Sequence, residues 1–221
     1  MVKPHLPQRN WLEAPELSDS VRALARRGEV CRYAKGTLLI QEGVLGDTLY
    51  IVLHGRLRVF GSTPDSDREL THGIYGAGEY VGEMGLDGGP RAASVLTLET
   101  TVCSMVTRRV LEAHLADHPQ FAFELLTKVI RRARAATLSA KQMALNDVYG
   151  RLKLLLDTAA VAQPDGSRAV MPRQTHREMS HQLGCSREMV SRLMKDLLDG
   201  GHVVDGDDEV LRLPRALPPR W

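Results

Sequence analysis

The chain has 221 residues, 43% hydrophobic and 25% charged, enough apolar material to bury a substantial core in one or two domains. Its 29 lysines and arginines against 27 aspartates and glutamates leave a net charge of +2, too small to argue for nucleic acid, so a DNA reader would have to rest on local basicity. No apolar run reaches the roughly 18 residues of a membrane span, and the opening MVKPHLPQRNWLEAP lacks the apolar centre of a secretory signal, so a cytoplasmic protein with no membrane partner is expected.

Residues 30–110 are built of short alternating runs such as KGTLLIQEG, DTLYIVLHGRLRVF and SVLTLETTVCSMV, punctuated by Gly36, Gly43, Gly55, Gly61 and Gly73. This pattern predicts a compact antiparallel roll with turns about every eight to twelve residues. Within it, YVGEMGLDGGPRAAS carries four glycines in eight residues, which free the backbone to aim successive N–H groups at an anion. Arg91, just beyond them, is placed for a bidentate contact to a phosphate, and Glu83 to accept hydrogen bonds from a ribose hydroxyl. From Pro119 to about Asn146, Phe121, Leu125, Val129, Ala133, Ala136, Ala140 and Met143 recur at helical spacing. So long a stripe exceeds what a small domain needs, and pairing with a second copy is its simplest use.

The stretch THREMSHQLGCSREMVSRLMK reads as two short helices hinged at Gly184. Thr175 and Glu178 have capping-box spacing, Met179 and Leu183 share a face, Gly184 suits a left-handed turn, and Ser186 caps the next helix. There Val190, Leu193, Met194 and Leu197 form the buried stripe, leaving Arg187, Glu188, Ser191, Arg192 and Lys195 outward. Two helices at a sharp angle, the second Arg-rich near its start, suit the DNA major groove. HVVDGDDEVLRL follows as a hairpin turning at Asp205-Gly206, the wing of a winged helix.

Other groupings imply less. Cys31, Cys103 and Cys185 are far apart in the chain with no CxxC pair, and read as reduced thiols rather than as disulfides or a zinc site. His114 and His118 lie one helical turn apart, but no Glu or Cys completes a ligand set and Pro119 ends the helix, so no metal is expected. His72 reads as an exposed strand histidine. No Ser-His-Asp order, HExxH or Walker lysine loop appears, and no enzyme is expected.

GCSREMVSRLMK strongly resembles the recognition helix of the cyclic-AMP-receptor and fumarate-nitrate-regulator (Crp/Fnr) family of bacterial transcription factors. The glycine-rich segment, with KGTLLIQEG and YIVLHGRLRV, closely resembles the phosphate-binding cassette of cyclic-nucleotide-binding domains. The resemblance covers essentially the whole chain. It implies an α+β protein: a cyclic-nucleotide-binding β-roll over 1–118, a dimerisation helix over 119–146 and a winged helix-turn-helix over 147–221. It implies Gly82, Glu83 and Arg91 as ribose and phosphate contacts beside the Ala92 amide. It further implies a homodimer reading a TGTGA-like palindrome through Arg187, Glu188 and Arg192, with RNA polymerase as a further partner. No N-terminal cysteine cluster matches the iron–sulfur sensors of the family.

The departures bear on the effector. Cyclic-AMP binders of the family generally carry Ser or Thr where Ala92 stands, and the cassette is short around Gly89-Pro90. The adenine-facing Thr-Ser pair aligns with Ala136 and Thr137, so one hydroxyl survives. Each lost charge-assisted hydrogen bond weakens binding by about 1.5–3 kcal/mol. The basic run Arg131, Arg132 and Arg134 either meets a more anionic effector such as cyclic di-GMP or is a solvated helix face. The expected protein is a regulator responsive to cyclic AMP or cyclic di-GMP. The rivals are a constitutive DNA binder with a vestigial pocket, a nucleotide-binding interaction module without DNA work, and a nucleotide-regulated enzyme.

Overall fold

Alternating β-branched and aromatic residues set the strands of the first part of the chain, in a computed structural model that describes residues 10–63, 68–206 and 210–220. Two antiparallel four-stranded sheets face each other. In one, the order is β1 (Glu29–Tyr33), β8 (Thr101–Val106), β3 (Leu49–His54) and β6 (Tyr80–Val81); in the other it is β2 (Leu38–Ile40), β7 (Ser94–Thr97), β4 (Leu57–Ser62) and β5 (Glu69–Tyr75). Strand β3 is buried on both faces, which is why LYIVLH reads as an almost continuous apolar run. Its Leu49, Ile51 and Leu53 pack outward against α1 (Asp19–Ala25), α2 (Arg108–Asp117) and the start of α3 (Phe121–Leu145). Val52 points the other way, into the roll, with Ile40, Leu57, Val81, Val95 and Cys103.

The expected turn role holds for Gly36, Gly43 and Gly55, whose φ of 81°, 79° and 87° is left-handed. It fails for Gly61 and Gly73, which lie inside β4 and β5. Those two make room for side chains: a Cβ on Gly61 would sit 3.0 Å from His72 Nε2, and one on Gly73 2.9 Å from the Tyr75 hydroxyl. Helix α1, which the sequence reading did not anticipate, starts at Ser18, whose hydroxyl accepts from the Val21 amide, and buries Val21, Leu24 and Ala25.

The described residues up to Gly61, with Thr71–Ile130, form one compact unit; Arg131 onward forms the other, together with the described part of 62–70. In the second unit α4 (Val148–Ala159), α5 (His176–Leu183) and α6 (Arg187–Asp199) surround a core of Tyr149, Leu152, Leu156, Met179, Leu183, Val190, Met194 and Leu197. A small sheet ordered β11 (Val204–Asp205), β12 (Leu211–Leu213), β10 (Arg168–Val170), β9 (Ala160–Ala162) completes it. The hairpin of β9 and β10 is an addition to the expected organisation. Its strands are three residues long, too short for a periodic signal, and only the PDG turn marks it. The wing is present as β11 and β12, with the Gly206 amide donating to the Val210 carbonyl at 2.9 Å; Asp207, Asp208 and Glu209 of the predicted hairpin lie outside the described residues. No described helix is long and apolar enough to cross a membrane.

Helix α3 uses the predicted stripe in two ways. Phe121 and Leu125 at its start join the roll's own core. Further along, Val129, Ala133, Ala136 and Ala140 are exposed, as are Phe123, Leu126, Ile130, Leu138 and Leu145.

Buried among the outer helices, His114 is 1% exposed with neither ring nitrogen hydrogen-bonded among the described residues. His118 lies 4.7 Å away ring to ring and Phe121 meets it edge-on at 5.2 Å. Burial lowers its pKa, the neighbouring His118 and Arg27 lower it further, and Asp117 partly opposes them. A histidine whose folded pKa is depressed binds fewer protons folded than unfolded, so stability is complete above the ordinary value of about 6.5 and falls as pH drops through the folded pKa. Urea melts of the wild type should lose stability between pH 7 and 5, and His114→Leu should flatten that slope; an unchanged slope refutes the assignment.

Candidate nucleic-acid interface and nucleotide cassette

The helix pair is assembled by caps. Thr175 Oγ1 accepts from the Glu178 amide at 3.2 Å while the Glu178 carboxylate accepts from the Thr175 amide at 2.7 Å, a reciprocal capping box. Helix α5 ends at Gly184, at φ 64° and ψ 38°, and the Cys185 amide donates back to the Ser180 carbonyl at 3.2 Å. Ser180 is buried and returns its hydroxyl to the Arg177 carbonyl at 2.8 Å, so a polar side chain sits close under the turn without a lost hydrogen bond. Ser186 caps α6 by accepting from the Met189 amide at 3.2 Å.

On α6, Val190, Met194 and Leu197 are buried, and Leu193 is half-buried. Arg187, Glu188, Arg192 and Lys195 are exposed on the opposite side, three cations and one anion over three turns. Ser191 departs from the expected exposed row. It is half-buried, and its hydroxyl pairs with His176 Nδ1 at 2.9 Å, which ties the first turn of α5 to the middle of α6. The His176 pKa is lowered, by burial first and then by Arg173 and Arg187, with Asp205 opposing. That histidine was invisible as a positioning group in the sequence; its place one residue after the N-cap was the available signal.

In the roll, the cassette residues Gly82, Glu83, Arg91 and Ala92 are brought together. Gly82 is left-handed, at φ 94°, and starts a single 3₁₀ turn over Glu83–Gly85. The amides of Gly85, Leu86 and Gly88 donate to the carbonyls of Gly82, Glu83 and Gly85, and the Gly89 amide to Asp87 Oδ1 at 2.8 Å. Arg91 is 8% exposed; its Nη1 donates to the Gly82 carbonyl at 2.7 Å and its Nη2 to the Thr48 carbonyl at 2.8 Å. Gly46 and Gly85 make room for it: a Cβ on Gly46 would lie 3.1 Å from Nε, and one on Gly85 2.9 Å from Nη1. Several glycines therefore serve the arginine, a use that spacing alone does not reveal. Ala92 is exposed and Glu83 half-buried. Arg132 and Thr137 lie on α3 in the second unit; Arg132 is half-buried, and the Thr137 hydroxyl donates to the Ala133 carbonyl at 2.9 Å. His72 is exposed, and among the described residues no group of three His, Cys, Asp or Glu side chains could hold a metal.

A roll with such a cassette, and a winged helix-turn-helix beyond it, define a DNA-binding regulator carrying a nucleotide-type sensor domain. The family model "Cyclic nucleotide-binding domain" matches residues 30–118. The chain is 30% identical over 203 residues to the "CRP-like cAMP-activated global transcriptional regulator" of Mycobacterium tuberculosis, covering 87% of this chain and 90% of the relative. It is 31% identical over 182 residues to the "CRP-like protein Clp" of Xanthomonas euvesicatoria, covering 77% of each. Among solved structures, the c-di-GMP responsive global regulator CLP of Xanthomonas campestris superposes with a TM-score of 0.76 at 25% identity, over 89% of this chain and 98% of that one. The chain belongs to the Crp/Fnr family of bacterial transcription regulators.

Proposed function

We propose that this regulator is a cytoplasmic, non-enzymatic homodimer that reads a TGTGA-like palindrome under the control of a cyclic nucleotide. One observation carries the reading: α6 presents Arg187, Glu188, Arg192 and Lys195 to solvent over a fully packed apolar face, with both of its flanking caps made. Arg187 and Arg192 suit guanine O6 and N7 in bidentate contacts, Glu188 a cytosine amino group, and Lys195 a phosphate. Ser191 acts from behind, through His176. The exposed apolar residues of α3 supply the dimer seam, which sets two recognition helices about one DNA turn, roughly 34 Å, apart. The functional parts are then the roll over 1–118, the pairing helix over 119–146 and the DNA reader over 147–221. RNA polymerase is the expected partner on the promoter.

For the effector, Gly82, Glu83, Arg91 and Ala92 offer the ribose and phosphate contacts, and Arg132 and Thr137 on α3 are the further ligand candidates. The relatives differ in what they answer to: the mycobacterial one is named for cyclic AMP and the Xanthomonas one for cyclic di-GMP. A second reading, constitutive DNA binding with a vestigial pocket, is favoured by two observations. Ala92 has no hydroxyl, and both terminal nitrogens of Arg91 already donate to backbone carbonyls. An effector controls DNA binding only if it prefers one of the two states.

Fluorescence anisotropy on a labelled TGTGA palindrome and a scrambled duplex, at fixed physiological salt, tests this without ligand, with cyclic AMP and with cyclic di-GMP. Selective binding that changes with one nucleotide supports the switch and names its effector. Equal selective binding in all three arms supports the constitutive reading, and no selectivity in any arm rejects the half-site. Arg187→Ala should cost the specific duplex about 1–3 kcal/mol and relax preference at one base pair. An equal loss on the scrambled duplex would make Arg187 a phosphate contact only.

A further inference from the structure

The inner face of the roll holds two thiols that neither DNA nor nucleotide binding uses. Cys31 on β1 and Cys103 on β8, distant in sequence, are register partners in an antiparallel pair. Residues so placed project from the same face, with Cα atoms about 4.5 or 5.5 Å apart depending on the type of pair, and both values fall inside the roughly 4.4–6.8 Å that a disulfide spans. Cys31 is half-buried and Cys103 fully buried. Burial pushes the Cys103 thiol up to about 12, and the neighbouring Cys31 adds to the rise. A third sulfur stands beside them: Tyr33 donates its hydroxyl to Met105 Sδ at 2.9 Å, and Tyr50, the register partner of Met105, meets the Tyr33 ring edge-on at 6.4 Å. Tyr50 also lies within electrostatic reach of Arg91, so this wall of the roll adjoins the cassette.

We propose that Cys31 and Cys103 are an oxidation site, closed to an intramolecular disulfide by peroxide. The more accessible Cys31 reacts first: its thiolate attacks one oxygen of hydrogen peroxide, the O–O bond breaks, hydroxide leaves and takes up a proton, and a sulfenic acid remains. Cys103 sulfur then attacks the Cys31 sulfur, the S–O bond breaks, and the Cys103 proton departs with the hydroxyl as a second water. Two electrons pass from the thiol pair to one peroxide. The buried Cys103, held protonated, is a poor first target and a fitting resolving partner because it faces its target across the strand pair. The crosslink ties β1 to β8 on the inner wall of the roll.

The reduced full-length protein is treated with hydrogen peroxide at neutral pH, quenched with catalase, unfolded in N-ethylmaleimide, digested with trypsin and mapped by mass. The expected product joins GEVCR to AASVLTLETTVCSMVTR with the loss of two hydrogens, is reversed by dithiothreitol, and leaves Cys185 alkylated. Cys31→Ser should return Cys103 as a free, alkylated thiol after the same treatment. Recovery of Cys31 as a sulfinic or sulfonic acid with Cys103 alkylated, or a crosslink from Cys31 to Cys185, overturns the proposal. The wild-type map decides the matter even where the variant folds poorly, and neither result depends on which nucleotide or DNA the protein binds.

Discussion

Arg91→Ala should unfold the roll about 10 °C below wild type with no nucleotide present. In this structure the arginine is a structural tie before it is a ligand contact: it holds the carbonyls of Gly82, in the cassette, and of Thr48, just before β3. Removing it leaves both carbonyls without these donors and opens space against Gly46 and Gly85, where no side chain exists to fill it. Hydrogen bonds to a charged donor are worth about 1.5–3 kcal/mol each, and the two share one side chain, so a total near 3 kcal/mol is reasonable. In a unit of this size that corresponds to about 10 °C. Arg91→Lys, with a point charge and no planar fork, should recover part of the loss. A melt of Arg91→Ala that matches wild type, measured by differential scanning calorimetry without ligand, would remove the structural role and return the residue to phosphate binding alone.

The second large effect belongs to the DNA-reading unit. Leu197→Ala should cost about 2–5 kcal/mol, a drop of roughly 10–20 °C in the transition of that unit, and should weaken specific DNA binding although the residue faces away from DNA. Leu197 is fully buried in the core cluster that also holds Met194, Val190, Leu152 and Val203. Helix α6 has only 13 residues, near the length at which a helix in isolation is marginal, so the presentation of Arg187 and Arg192 depends on its packed face. Calorimetry and anisotropy on the same preparation check both halves. A lower melting transition with unchanged DNA affinity at low temperature would confine the effect to stability.

Local chemistry explains which features were readable in advance. The capping box at Thr175 and Glu178, the left-handed Gly184 and the Ser186 cap are each written within four residues of one another, and all three form. Features made by distant residues were not readable. Cys31 and Cys103 looked unrelated until β1 and β8 paired them. Gly61 and Gly73 looked like turns because glycine marks turns more often than it makes room inside strands. Arg91 was singled out correctly as the centre of the cassette, but its two backbone acceptors come from segments whose approach no spacing rule encodes. His176 supports Ser191 across 15 positions of chain, and only the angle of the helix pair makes that contact.

Strand β3 is a partition one backbone thick. Val52 belongs to the packed core inside the roll, while Ile51 and Leu53 belong to the helical layer outside, in the same packed cluster as Phe121 at the head of α3. Close-packed interiors compress little and pass displacement on rather than absorbing it. Whatever shifts the roll's inner core therefore has no slack to spend before the root of α3 feels it, and the distance such a push must travel is the thickness of one backbone.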